Sequence, residues 1–240
     1  MTLKIALYLI ITIAVTVILA VSQQKAGLSF DKVTLPQLAP AIAVLVIFLI
    51  YKNLPARINL SFDTTILLKS LVAFILPMVL FATAFLIGKI AGINVKIPEN
   101  LPKLLPLMIT GMLIGALAEE IGWRNFLQPV FETKYSALLA SIIVGITWGL
   151  WHIGHYKNGL LFMAAFLLFT ISASIIIAWL LRNTAYNLII STVFHCSINV
   201  GFLIFFHNSL ADSKMILING IVWLIPAMGI IILTGKDLVI

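Results

Sequence analysis

Glu119 and Glu120 stand side by side in the stretch GALAEEIGWRNFL (residues 115–127), and Arg124 follows four residues after Glu120. In a helix Glu120 and Arg124 are i and i+4 in the favourable acid-before-base order, so they can pair on one face. Glu119 lies ~100° further round the helix and is not so placed. It is the freer carboxylate, and a carboxylate able to take a proton is the residue type for a general base. The same spacing recurs in HCSIN, where His195 and Asn199 are i and i+4 and share a face. An imidazole N–H beside an amide NH2 can donate to a developing oxyanion. In WGLWHIGHY (148–156) Trp148 and His152 share a face, with His155 one turn on. These types support acid–base work with an anion-stabilising pair. Alone they name no reaction.

The elements that must position these residues are membrane helices. The 240-residue chain is 62% hydrophobic and only 10% charged, with a mean hydropathy of +1.17; a soluble domain is about half apolar and about a quarter charged. The apolar runs are long and lack period-2 alternation, so they read as helices rather than barrel strands. Eight spans are expected, at about 3–22, 38–51, 65–88, 104–128, 136–155, 159–181, 185–206 and 215–234. Each is near the ~20 residues that cross hydrocarbon. The second is short and can tilt, or start earlier past Pro36 and Pro40. The polar segment 52–64 reads as a loop or interfacial helix, and 92–103 as a Pro-containing loop. Lys4 followed by apolar residues from Ile5 to Val21 reads as an uncleaved first span. Short later loops make neighbouring helices antiparallel, and the expected organisation is a single integral membrane domain over 1–240.

Depth gives the polar residues their meaning. An ionisable group at mid-bilayer costs on the order of 2.5–3.5 kcal/mol on insertion scales, so it faces the bundle interior and marks function. Glu119 and Glu120 fall near the middle of the fourth span, and His195 near the middle of the seventh. His152 lies about six residues past the middle of the fifth span and Asn199 about three past that of the seventh, roughly 9 and 5 Å. All can meet in one cavity. Taken singly, the ion pair or either histidine reads as a structural contact between helices, Trp148, Trp151 and Phe126 as packing or interface anchors, and Cys196 as a small core residue. Taken together on three spans, they read as a site.

The formal net charge is +7. The Lys and Arg residues stand singly near span ends, which reads as anchoring to anionic lipid rather than nucleic-acid binding. With eight spans, the count is eight on the side of the termini and seven opposite, which fixes no orientation. The single cysteine excludes an intrachain disulfide.

Three motifs in order carry a resemblance: Glu119-Glu120-x-x-x-Arg124, Trp148-x-x-x-His152 and His195-x-x-x-Asn199. The chain resembles the CPBP (Abi) family of intramembrane proteases over about residues 101–206. That family includes the type II CAAX prenyl endopeptidase and bacteriocin-processing or self-immunity proteins. Its second motif has Phe where this chain has Trp148. The resemblance implies an all-α bundle of about eight transmembrane helices with a polar intramembrane cavity, and a catalytic core over 101–206. It implies hydrolysis of a peptide bond in a membrane-associated, hydrophobic or lipidated substrate. Glu119 would activate water with help from His152. His195 and Asn199 would stabilise the oxyanion, and Glu120 and Arg124 would hold the geometry. The implied setting is a multi-pass protein of the cell membrane, with lipid and peptide as partners and no nucleic acid.

Other readings of the same residues stand beside this one. A non-catalytic immunity or scaffold protein would keep the motif for packing, and a small transporter would use the carboxylates as a proton relay. A zinc-dependent protease would take Glu119, His152 and His195 as its three ligands. No His-Glu-x-x-His occurs, however, and the resemblance favours a metal-free site, so no cofactor is expected.

Overall fold

The computed structural model describes residues 2–29, 34–51, 56–99 and 101–239, and the side chains of all but Thr2 and 101–107. Lys32 and Lys52 of the charge count lie outside the described residues, and Lys103 among the side chains not described. Among the described residues the protein is all helix, with one isolated bridge between Asn59 and Asn187. Helix α1 is Thr2–Lys25. A 3-10 turn, Leu35–Leu38, leads into α2, Ala39–Ile50, and α3 is Thr64–Ile90. Helix α4, Leu101–Gly122, runs through a π turn, Trp123–Leu127, into α5, Gln128–Glu132. Helix α6 is Ala137–Trp151, followed by a 3-10 turn, Ile153–Asn158. Then come α7, Leu160–Leu180, α8, Leu188–Phe205, and α9, Ser213–Thr234.

Each expected span falls on a helix, with 104–128 on α4 and its π turn. Among the described residues five helices are long and apolar enough to cross a membrane: α1, α3, α7, α8 and α9. Leu35–Ile50 and Ala137–Trp151 are shorter apolar helices. The large apolar residues exposed along α1, α3 and α9, such as Ile18, Leu68, Phe74 and Ile232, form the surface that lipid covers; water would not tolerate patches of that extent. The segment 56–63 is loop, as one expected alternative had it. Its backbone joins the turn before α8, where Asn59 O accepts from Leu188 N at 2.9 Å.

Two departures from the expected spans matter for the site. The fifth span ends at Trp151 rather than 155, so His152 and His155 lie past α6. The ring Nδ1 of His152 takes the carbonyl of Trp148 at 2.8 Å, one of the acceptors a helix end leaves unpaired. The other departure is the π turn. Pro129 has no N–H for the carbonyl of Asn125 and its ring crowds that group. The chain widens instead: Gln128 N bonds Trp123 O, and the released Asn125 O accepts from Arg57 N at 2.8 Å. Asn125 Nδ2 donates to the carbonyls of Arg57 and, at 2.7 Å, of Tyr186. Below it Glu132 accepts from Arg182 and from the Tyr186 hydroxyl. Burial, with Glu132 beside it, holds that phenol above its ordinary pKa, so it remains a donor.

Helix α4 packs on α2 and α8, α6 on α7, α7 on α9, and α3 on α8 and α9. The α6–α7 contact uses Gly145-Ile-Thr-Trp-Gly149, a small-xxx-small spacing that lets helices approach closely. A Cβ at Gly145 would lie 2.7 Å from Ile171 Cα and 3.0 Å from Thr170 O. These are backbone atoms that cannot step aside. Gly145→Ala is therefore expected to destabilise the protein by about 1–3 kcal/mol, despite the better helix propensity of alanine, and thermal unfolding in detergent reads this directly.

Candidate active site

Four of the expected residues form one connected cluster at the end of α4. Glu119, Glu120, Arg124 and His195 are each 3% exposed or less. Arg124 Nε lies 3.3 Å from Glu120 Oε2, the pairing the i,i+4 spacing called for. The contact is ionic rather than an aligned hydrogen bond, since neither atom has a hydrogen-bond partner. The other oxygen of Glu120 faces α8, where His195 Nδ1 meets Oε1 at 2.8 Å. His195 Nε2 then points at Glu119, 3.8 Å from its Oε2. One imidazole thus spans both carboxylates.

Glu119 stands apart from Arg124, but it is not without partners. Gln37 Nε2 donates to its Oε1 at 2.9 Å. Trp148 Nε1 donates to its Oε2 at 2.9 Å, and Trp123 Nε1 lies 3.4 Å from the same oxygen. Neutral N–H donors surround Glu119, whereas Glu120 carries the guanidinium. That contrast is the physical difference between two adjacent glutamates.

His152 and Asn199 meet this cluster across a cavity of about 150 Å³, whose lining includes Glu119, Trp148, His152, His195 and Asn199. With Nδ1 of His152 donating to a carbonyl, its Nε2 is left to accept. His155 also lines the cavity, stacked on His152 with rings 2° from parallel. Asn199 Nδ2 is enclosed and has no hydrogen-bond partner, an unspent donor on the cavity wall. A second cavity of about 510 Å³ opens between α1 and the turn after α6, lined by Thr16, Val17, Ala20, Val21 and residues 151–155, and reaches Glu119.

Sequence reasoning missed the supporting groups. Gln37 comes from a distant connector. Trp148 read as packing, yet its indole N–H reaches Glu119. Arg124 Nη1 donates to Ser174 Oγ at 2.8 Å, which donates on to Ser141 O at 2.6 Å, and Arg124 also lies over the Trp148 ring at 5.4 Å. The only available signal was polar type inside apolar runs, which marks interior facing but not partner identity. Among the described residues no three His, Cys, Asp or Glu side chains are grouped to hold a metal ion. No step below is routed through a metal.

Comparison with known proteins bears on the segment that holds this cluster. Residues 101–201 match the family model described as Rce1-like, type II CAAX prenyl endopeptidase. That stretch is similar to Rce1-like domains. The Rce1-like segment contains all seven residues of the three motifs, so the resemblance drawn from them holds. Relatives extend over most of the chain. Lysostaphin resistance protein A of Staphylococcus aureus strains Newman and USA300 is 28% identical over 247 aligned positions, 97% of this chain and 56% of the relative. The chain thus spans about half the length of these curated relatives. The Rce1-like match supports a protease-like enzyme in a multi-pass membrane protein.

Proposed function

We propose that the protein is an intramembrane endopeptidase that uses water activated by Glu119. The observation that carries this reading is the meeting on one small cavity of four residues of the Rce1-like segment, Glu119, His195 with its Nε2, His152 and Asn199 with its unpartnered amide. Water in that cavity would give a proton to Glu119 and accept orientation from His152 Nε2. Its oxygen attacks the scissile carbonyl carbon, the C–N bond breaks, and the proton passes from Glu119 to the leaving amine. Charge develops on the carbonyl oxygen, where Asn199 Nδ2 donates; His195 Nε2 donates there in its imidazolium form, with Nδ1 tied to Glu120. Glu120 and Arg124 hold His195 in place rather than react.

The substrate class is a membrane-associated peptide. The larger cavity beside Glu119 has a largely apolar wall from α1, suited to a hydrophobic or lipidated segment entering from the bilayer. A prenylated peptide with a Cys-aliphatic-aliphatic-X terminus and an unmodified hydrophobic peptide of equal length are the two substrates to compare. The proposed setting is the cell membrane. The resistance role in the relatives' name fits either a protease or a non-catalytic partner, and loss of function in Glu119→Gln separates these.

Asn199→Ala tests the oxyanion assignment. Removing one such donor costs roughly 10²–10³-fold in kcat, with little change in KM, because the bond strengthens only as charge develops. Steady-state kinetics in liposomes measure both, and an unchanged kcat removes Asn199 from the mechanism.

A further inference from the structure

Glu119 is gripped at both oxygens by groups from different parts of the chain. Trp148 on α6 holds Oε2 and Gln37 holds Oε1. Gln37 stands on the 3-10 turn before α2, 82 residues away in sequence and outside the Rce1-like segment. Gly115, one turn before Glu119 on α4, makes the approach possible. A Cβ there would press on Gln37 Oε1 and lie 2.6 Å from its Cδ and 3.1 Å from its Nε2. Gln37 also lines both cavities that meet at Glu119, and a third of about 240 Å³ that carries Asn199. Its amide therefore sits where the openings converge.

The terminal torsion of a glutamate is soft. A base free to turn about it spends little time aimed at a water, and small misplacements near a reacting atom are costly. Donors at both oxygens fix the plane of the carboxylate. We propose that Gln37 is a positioning residue of the reaction: its amide locks the Glu119 carboxylate through Oε1, so the connector before α2 completes the site of the Rce1-like segment. This rests on the reading of Glu119 as the base.

The test uses the full chain in liposomes with the two peptides above. Gln37→Met keeps length and removes both N–H donors. Gly115→Ala evicts the amide from the other side; alanine favours the helix, and the displaced group is the far end of a flexible side chain, so the fold holds even if Gln37→Met does not. Each variant is expected to lower kcat about 10–100-fold, the range for losing a hydrogen bond to a charged group, with KM within about twofold. The double variant should be no slower than the slower single, as for one shared contact. The infrared band of the Glu119 carboxyl group, identified by its loss in Glu119→Gln, should shift in both singles. A wild-type kcat in both singles, a raised KM with kcat intact, multiplying losses in the double or an unmoved band overturns the proposal. If Glu119→Gln cleaves normally, the base assignment fails instead, while the infrared band still decides whether Gln37 holds the carboxylate.

Discussion

Glu119→Gln is expected to leave an inserted, folded protein that cuts no peptide. General-base assistance contributes roughly 10²–10⁴-fold, and an amide cannot take the proton. The substitution is nearly isosteric, but it is not silent for the fold. Gln37 and Trp148 both donate to Glu119, and an amide offers only one acceptor oxygen. One donor will face an NH2 group, at a cost of about 1–3 kcal/mol. A modest fall in unfolding temperature should therefore accompany a complete loss of cleavage. Full activity in this variant would leave the cluster as packing, the reading a non-catalytic partner requires.

The second large effect is on stability. Arg124 is 1% exposed and touches Glu120, Ser174 and the face of Trp148. Arg124→Leu removes the guanidinium and leaves Glu120 buried with only His195 beside it. Breaking a buried pair from one side costs about 3–5 kcal/mol. Thermal unfolding in detergent should show the drop, and removing both charges with Glu120→Gln should recover part of it. Arg124→Lys will not substitute, because an ammonium cannot reach Glu120 Oε2 and Ser174 Oγ in the geometry of a guanidinium fork. An Arg124→Leu protein as stable as the wild type would contradict the arrangement of the cluster.

What could be read from the sequence followed from short-range geometry. The pairing of Glu120 with Arg124 is fixed by helix pitch, and it is present at 3.3 Å. The apolar runs located the helices for the same reason. Helix ends were less legible: His152 lies past α6 because a ring nitrogen takes a terminal carbonyl, which no periodicity announces. The π turn follows from Pro129, although proline at that place reads equally well as a simple break. Gln37 was beyond reach. Its link to Glu119 depends on the packing of α2 against α4 and on the absence of a Cβ at Gly115. His195 read as a donor beside Asn199, and its role as the bridge between two carboxylates appears only when α8 lies against α4.

The cluster thus divides into a charged half and a working half. Glu120, Arg124, Ser174 and the Nδ1 edge of His195 form the buried support. Glu119, His195 Nε2, His152 and Asn199 present unlike chemical groups to one cavity: a carboxylate, an imidazole nitrogen, an acceptor and an unpartnered amide donor. That division suits the hydrolytic centre proposed above.

The most direct measurement is mass spectrometry of both peptides after incubation with the 240-residue chain in liposomes, with Glu119→Gln and Asn199→Ala run alongside. The account predicts one new C-terminus and one new N-terminus from at least one peptide. They should be abundant with wild type, absent with Glu119→Gln and roughly 10²–10³-fold slower with Asn199→Ala. Equal cleavage by wild type and Glu119→Gln would contradict it, as would a folded wild-type protein that leaves both peptides intact.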